Sequence, residues 1–292
     1  MNLRTALKRA TACFQDAKIA EAGTDAWLLL EYVTGLSRAA YLMEPERELT
    51  DEEETRYLAL VEKRSERIPL QHLTGVQEFM GYPFQVDASV LIPRQDTEIL
   101  TEMAAELLRD QMQILDLCTG SGCILISLLK LAQERGLQEL VGVGTDLSGD
   151  ALHTAEKNVR KLLGEDCKEK IHFLQGDLFG ALEGGNFQKG FELIVSNPPY
   201  IPTGEIAALE TEVREYDPMG ALDGGADGLD FYRRISKESR KYLKKSGTLL
   251  LEIGCEQGQD VLHLLEAEGF VRLQIKKDLA GLDRVISAVY DR

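Results

Sequence analysis

The chain has 292 residues, 44% of them apolar and 28% charged, a balance that buries a substantial core, excludes a disordered chain and leaves room for a smaller domain beside one of usual size. Lys and Arg total 33 against 49 Asp and Glu, for a formal net charge of -16, which repels a phosphate backbone and makes nucleic acid a disfavoured partner. No apolar run approaches the roughly 20 residues of a bilayer span, and Met1 to Gln15 lacks the apolar stretch of a signal peptide, so a cytoplasmic protein without a membrane partner is expected.

From Asn2 to about Arg67 the apolar residues recur at helical spacing, as in Leu3, Ala6, Leu7 and Ala10 and again in Ala26, Leu29, Leu30 and Val33, which predicts a small helical domain over residues 1–68. Thr50 followed by Asp51-Glu52-Glu53-Glu54 predicts a helix start, with a capping hydroxyl and acids at the positive end of the dipole. Residues 69–96 are expected to form a linker with a hairpin: Thr74-Gly75 and Gly81-Tyr82-Pro83 are turn signals, and Phe84 and Val86 alternate. Residues 97–292 form the predicted second domain, beginning with a helix over Thr97 to Arg109. From Gln113 short apolar runs alternate with amphipathic helices, and strands are expected at Ile114–Cys118, Leu140–Thr145, Ile171–Gln175, Leu193–Ser196, Thr248–Glu252, Val271–Lys276 and Val285–Tyr290. Strands in this order suit a doubly wound, parallel α/β sheet. The cysteines, Cys13, Cys118, Cys123, Cys167 and Cys255, form no Cys-x-x-Cys pair; reduced thiols and no metal site are expected.

Two motifs carry chemistry. Asp116-Leu117-Cys118-Thr119-Gly120-Ser121-Gly122 lies between an apolar strand and an apolar helix. Gly120 and Gly122 lack Cβ atoms where backbone must approach a ligand, and the helix start behind them offers free N–H groups. Asp146 ends the next predicted strand, where a carboxylate accepts from both hydroxyls of a ribose. Gly176-Asp177-Leu178-Phe179 closes the third, with a carboxylate and apolar side chains suited to an adenine ring. Leu125 stands where a dinucleotide fingerprint would have its third glycine, which argues against a dehydrogenase.

The second motif is Asn197-Pro198-Pro199-Tyr200, directly after the strand that ends at Ser196. Two prolines cannot continue a central ladder, so the chain must leave the sheet at its carboxyl edge with two φ angles restrained. An NH₂ conjugated to a carbonyl or aromatic ring is a poor nucleophile because its lone pair is delocalised. If the Asn197 side-chain oxygen and the Pro198 carbonyl accept its two N–H groups, the lone pair is aimed at a methyl donor, with Tyr200 against the planar face.

The glycine turn, Asp146 and Asn197-Pro198-Pro199-Tyr200 together resemble the class I methyltransferases that act on exocyclic or amide nitrogens. Upstream, Pro69-Leu70-Gln71-His72-Leu73-Thr74-Gly75, Glu78-Phe79 and Leu91-Ile92-Pro93-Arg94-Gln95-Asp96-Thr97-Glu98 look like the signature of the peptide chain release factor glutamine methyltransferases, and the resemblance covers essentially the whole chain. It implies a seven-stranded, Rossmann-like methyltransferase domain behind a helical substrate-recognition domain. It also implies S-adenosylmethionine as donor and N5-methylation of the glutamine in the Gly-Gly-Gln loop of bacterial-type release factors. By the match of motifs, Cys118, Thr119, Gly120, Ser121 and Gly122 would hold the methionine part of the donor, Asp146 its ribose, and Asp177 and Leu178 its adenine. Asn197 would serve donor and acceptor, and Asn197, Pro198, Pro199 and Tyr200 would hold the glutamine and carry the catalysis.

Cys118 stands where many methyltransferases have a glycine, so its backbone is expected to adopt a non-glycine conformation, and Gln95 stands where the family often has a second proline. Arg94, Asp96, Thr97 and Glu98 lie at a loop-to-helix boundary, where a supporting role at the site competes with Asp96 or Thr97 as the N-cap. Glu252 ends a later strand with its role open. The rival enzyme, an adenine-N6 or other nucleic-acid methyltransferase, uses the same Asn-Pro-Pro-Tyr chemistry; the acidic charge and the upstream signature weigh against it. A donor-binding scaffold would not need that motif. A monomer is expected.

Overall fold

Asn2 caps the first helix, its side chain accepting from the Thr5 N–H in a computed structural model that describes residues 1–164, 167, 170–185, 187 and 190–291. The chain divides into two compact units, one of Met1–Val76 with Glu210–Tyr216 and one of Gln77–Leu209 with Asp217–Arg292. The sequence places the first boundary after residue 68; the structure carries the unit past the short helix at Leu70–Thr74.

The first unit contains α1 (Leu3–Asp16), α2 (Ala22–Thr34), α3 (Arg38–Met43), α4 (Asp51–Ser65) and α5 (Leu70–Thr74). Leu3, Ala6, Ala10 and Phe14 form the buried stripe of α1 and share a core with Ala26, Leu29 and Leu30 of α2 and with Tyr57 and Val61 of α4. The Tyr57 hydroxyl, buried with its ring, donates to the Ala26 carbonyl at 2.9 Å, which removes the cost of an unpaired polar group in a core. Thr50 caps α4 and all four acids lie in its first turn, as the sequence predicts, and the structure adds a reciprocal capping box between Thr50 and Glu53.

The second unit opens at Gln77, within the two-stranded hairpin of β1 (Val76–Phe79) and β2 (Tyr82–Gln85). Its turn residues Met80 and Gly81 have φ of 54° and 76°, the left-handed pair that matches the strand twist. Next come α6 (Gln95–Glu106), β3 (Gln113–Leu117), α7 (Cys123–Glu134), β4 (Val141–Asp146), α8 (Gly149–Leu162), β5 (Ile171–Gln175) and β6 (Phe191–Ser196). The chain continues through α9 (Thr211–Tyr216), α10 (Asp230–Ser239), β7 (Leu243–Glu252), α11 (Gly258–Ala267), β8 (Val271–Lys277) and β9 (Asp283–Tyr290). Of these, α9 belongs to the helical unit, where Glu212 accepts from Arg64 Nη2 at 3.1 Å and pairs with Arg67. Arg64 is nearly buried and also pairs with Asp25 at 2.8 Å.

The seven strands are ordered β5-β4-β3-β6-β7-β9-β8. The expected parallel sheet is found in β3 to β7, while β9 runs antiparallel to both β7 and β8. The physical reason is the connection: only residues 278–282 separate β8 from β9, enough for a hairpin but not for a parallel crossover. Alternate residues of each strand serve opposite faces. Ile114, Leu193, Val195 and Leu250 pack with α6 and α7, while Leu115, Ile194, Leu249 and Leu251 pack with α10 and α11. After β5 the chain returns to the other side of β3, so β3 and β6 flank the point where strand order reverses, the place where such sheets open a crevice at their carboxyl edge.

Candidate active site

Each piece of the site begins where a strand of the second unit runs out. At the end of β3 the Thr119 N–H donates to the Thr145 carbonyl at 3.0 Å, and the Thr119 hydroxyl turns inward to Asp116 Oδ2 at 2.6 Å. Asp116 is wholly buried, and burial pushes its carboxyl up to about 7. Cys118 has a φ of 57°. The expectation of a non-glycine backbone is therefore overturned: the cysteine keeps the left-handed conformation a glycine would have, a strained choice for a side chain. Gly120 has a φ of 54° with open space where a Cβ would stand. Gly122 caps α7 at a φ of 78°, and a Cβ there would meet Ile126 Cδ1 at 2.7 Å.

At the end of β4, Asp146 is tied by main chain. Gly120 N–H donates to its Oδ2 and Ser148 N–H to its Oδ1, each at 2.9 Å. Burial raises its carboxyl against the pull of these N–H groups, which leave lone pairs on both oxygens. Beyond β5, Asp177 is ion-paired with Arg234 at 2.8 Å, and Leu178 has a φ of 50°.

β6 leads into Asn197. Its Nδ2 donates to the Thr97 hydroxyl at 3.1 Å, and Thr97, in the first turn of α6, is only 2% exposed. Arg94 occupies the N-cap of that helix, so neither Asp96 nor Thr97 caps it. This releases Asp96 to pair with Arg284 at 3.2 Å, and Arg94 itself pairs with Asp217 at 2.5 Å. Pro198 and Pro199 are buried. The Tyr200 carbonyl accepts from Gln257 Nε2 at 2.9 Å, and its hydroxyl lies 3.5 Å from Glu252 Oε1. Glu252 is 1% exposed, and burial pushes its carboxyl up to about 7.

A cavity of about 400 Å³ opens at this edge, within the size range of small-ligand sites. Of the residues singled out in the sequence, Cys118, Gly120, Asp146, Asp177, Leu178, Asn197 and Pro199 line it. Thr119, Ser121, Gly122, Pro198 and Tyr200 are outside its lining; Thr119 and Ser121 are buried. Sequence reasoning missed other wall residues, Val90, Leu147, Ser148, Phe231 and Arg234 among them. Ser148 alone had a legible signal, two residues beyond Asp146 at a helix start. The α10 residues had none, because no motif announces that a helix far along the chain closes a wall.

Two family models match the chain, the PrmC N-terminal domain over residues 5–75 and the Methyltransferase small domain over residues 95–212. The release factor glutamine methyltransferase of Clostridium acetobutylicum is 37% identical across 99% of both chains. The chain belongs to the release factor glutamine methyltransferase family. The family member of Geobacter sulfurreducens is 40% identical over 88% of this chain and 86% of its own. A methyltransferase from Pyrococcus furiosus superposes on 73% of the chain and 91% of its own with a TM-score of 0.51 at 13% identity, a likeness of fold.

Proposed function

We propose that the protein transfers a methyl group from S-adenosylmethionine to the side-chain amide nitrogen of the Gly-Gly-Gln glutamine in bacterial peptide chain release factors. The observation that carries this reading is that one cavity is lined by the carboxylates suited to a nucleoside, Asp146 and Asp177, and by Asn197 and Pro199 of the segment suited to an amide.

The residues present fit the donor. Asp146 keeps free lone pairs beside the Gly120 backbone for ribose hydroxyls, and Leu147, Leu178 and Phe231 offer apolar walls for a ring. Cys118, Thr119, Gly120, Ser121 and Gly122 would form the turn that holds the amino-acid end, with Asp177 at the adenine. When bound, S-adenosylmethionine supplies an electrophilic methyl group on a cationic sulfur. The chain supplies orientation: Asn197 Oδ1 and the Pro198 carbonyl accept the two amide N–H groups, hold the nitrogen lone pair in line and stabilise positive charge as it develops there. Pro199 stiffens the turn and Tyr200 packs against the amide plane.

The helical unit is the recognition domain in this reading, and the protein works as a cytoplasmic monomer. The test is incubation with a bacterial release factor and methyl-labelled S-adenosylmethionine, followed by peptide mass spectrometry. Label on the Gly-Gly-Gln glutamine is expected; transfer to DNA or RNA and none to the release factor would replace this function with the adenine one.

A further inference from the structure

An asparagine side chain presents an acceptor at one end and two donors at the other, and the ends are nearly the same shape. A flipped Asn197 would point N–H groups at the N–H groups of an acceptor amide. Something other than shape must choose the end. Asn197 Nδ2 meets the Thr97 hydroxyl at 3.1 Å, and that hydroxyl also interacts with the carboxyl of Glu252. A hydroxyl has one proton. An ionised carboxylate only accepts, so the Thr97 proton is directed to Glu252 and only a lone pair is left for Asn197. That lone pair takes Nδ2 and rejects Oδ1.

The surroundings hold this relay in place. Thr97 and Glu252 are 2% and 1% exposed, so water does not compete for their protons. Glu252 Oε2 is buried without a hydrogen-bond partner, a costly state for a carboxylate that the strand end by itself does not require. The Thr97 carbonyl accepts from Thr101 Oγ1 at 3.1 Å, which helps hold the first turn of α6. Neither Thr97 nor Glu252 lines the cavity.

We propose that Thr97 and Glu252 are positioning residues that set the orientation of the Asn197 side-chain amide, presenting its Oδ1 to the acceptor nitrogen. This rests on the glutamine-methylating reading above, in which Asn197 accepts from the substrate amide.

The experiment is steady-state methylation of a release factor at pH 8, where Glu252 is ionised, with donor-product affinity measured separately by titration of S-adenosylhomocysteine. Thr97→Val keeps the shape and removes the hydroxyl; it lowers kcat by about 10-fold or more while KM and S-adenosylhomocysteine affinity stay within about 2-fold. Thr97→Ser, which restores the hydroxyl, recovers most of the rate. In an Asn197→Ala background the Thr97→Val change adds less than about 2-fold, because the residue acts only through Asn197. The proposal is overturned if Thr97→Val retains wild-type kcat, if Thr97→Ser is as slow as Thr97→Val, or if the two changes multiply independently. A wild-type protein that modifies no release factor would instead overturn the parent reading, and this one with it.

Discussion

Two strands of the sheet end in acids at the carboxyl edge, one half-buried and one wholly buried, and they are held in different ways. Asp146, at the end of β4, is gripped by the backbone N–H groups of Gly120 and Ser148. Glu252, at the end of β7, faces the hydroxyls of Tyr200 and Thr97 and has one oxygen without a partner. Main-chain donors cannot be removed by changing a side chain, so the first arrangement is a fixed acceptor. Side-chain donors carry rotatable protons, so the second responds to point substitution and to pH. The donor half of the proposed site is built on loop geometry; the acceptor half is built on side-chain order.

The strongest way to break this division is Asn197→Ala. On the acceptor side it should lower kcat by about 10³-fold, the range for loss of a preorganised polar contact to the reacting group, with S-adenosylhomocysteine affinity unchanged. A loss of affinity with an intact rate would place Asn197 on the donor side. Asp146→Ala is the converse. Loss of its charge-assisted contacts to a ribose should weaken S-adenosylhomocysteine binding by about 100-fold in calorimetry; unaltered binding would remove Asp146 from the donor site.

A smaller effect tests the electrostatic difference. Burial raises the Glu252 carboxyl from 4.5 to about 7, so on raising pH the unfolded state gives up its proton first. Stability then falls as pH rises between about 4.5 and 7, and the loss is complete above the folded value. Glu252→Gln should flatten that part of the profile and gain about 1–3 kcal/mol relative to wild type in denaturant unfolding at pH 8, with little gain at pH 4. Asp116, also pushed up to about 7 by burial, keeps its own slope in both proteins. A variant less stable than wild type at pH 8 would mean that the Glu252 charge is compensated, contrary to its unpartnered oxygen.

The smallest change lies outside both halves. Thr50→Ala removes the capping hydroxyl of α4 and should cost about 1 kcal/mol of stability while leaving donor affinity and turnover alone. A change in turnover would show that the helical unit influences catalysis as well as recognition.

Some of this is legible in the residues themselves. The Thr50 cap, the hairpin turn and the glycine turn after β3 are local: neighbours in sequence determine them, and their residue types leave few alternatives. The pattern failed where partners lie far apart. Asp96 and Thr97 look like caps, yet Arg94 takes that position and they face Arg284 and Asn197. Cys118 keeps a glycine's φ, a backbone choice that composition does not record.

By itself the sequence determined an α/β domain with a helical domain in front and carried the motifs by which it resembles methyltransferases, because periodicity, turn residues and two short motifs are properties of contiguous segments. Only the tertiary structure decided that β9 inserts antiparallel between β7 and β8, that α9 belongs to the helical unit, and that the Asn197 amide meets the Thr97 hydroxyl. Those contacts join positions separated by 100 residues or more along the chain in the last case. Which of many compatible side chains meets which is set by packing the whole sheet, not by any one of its strands.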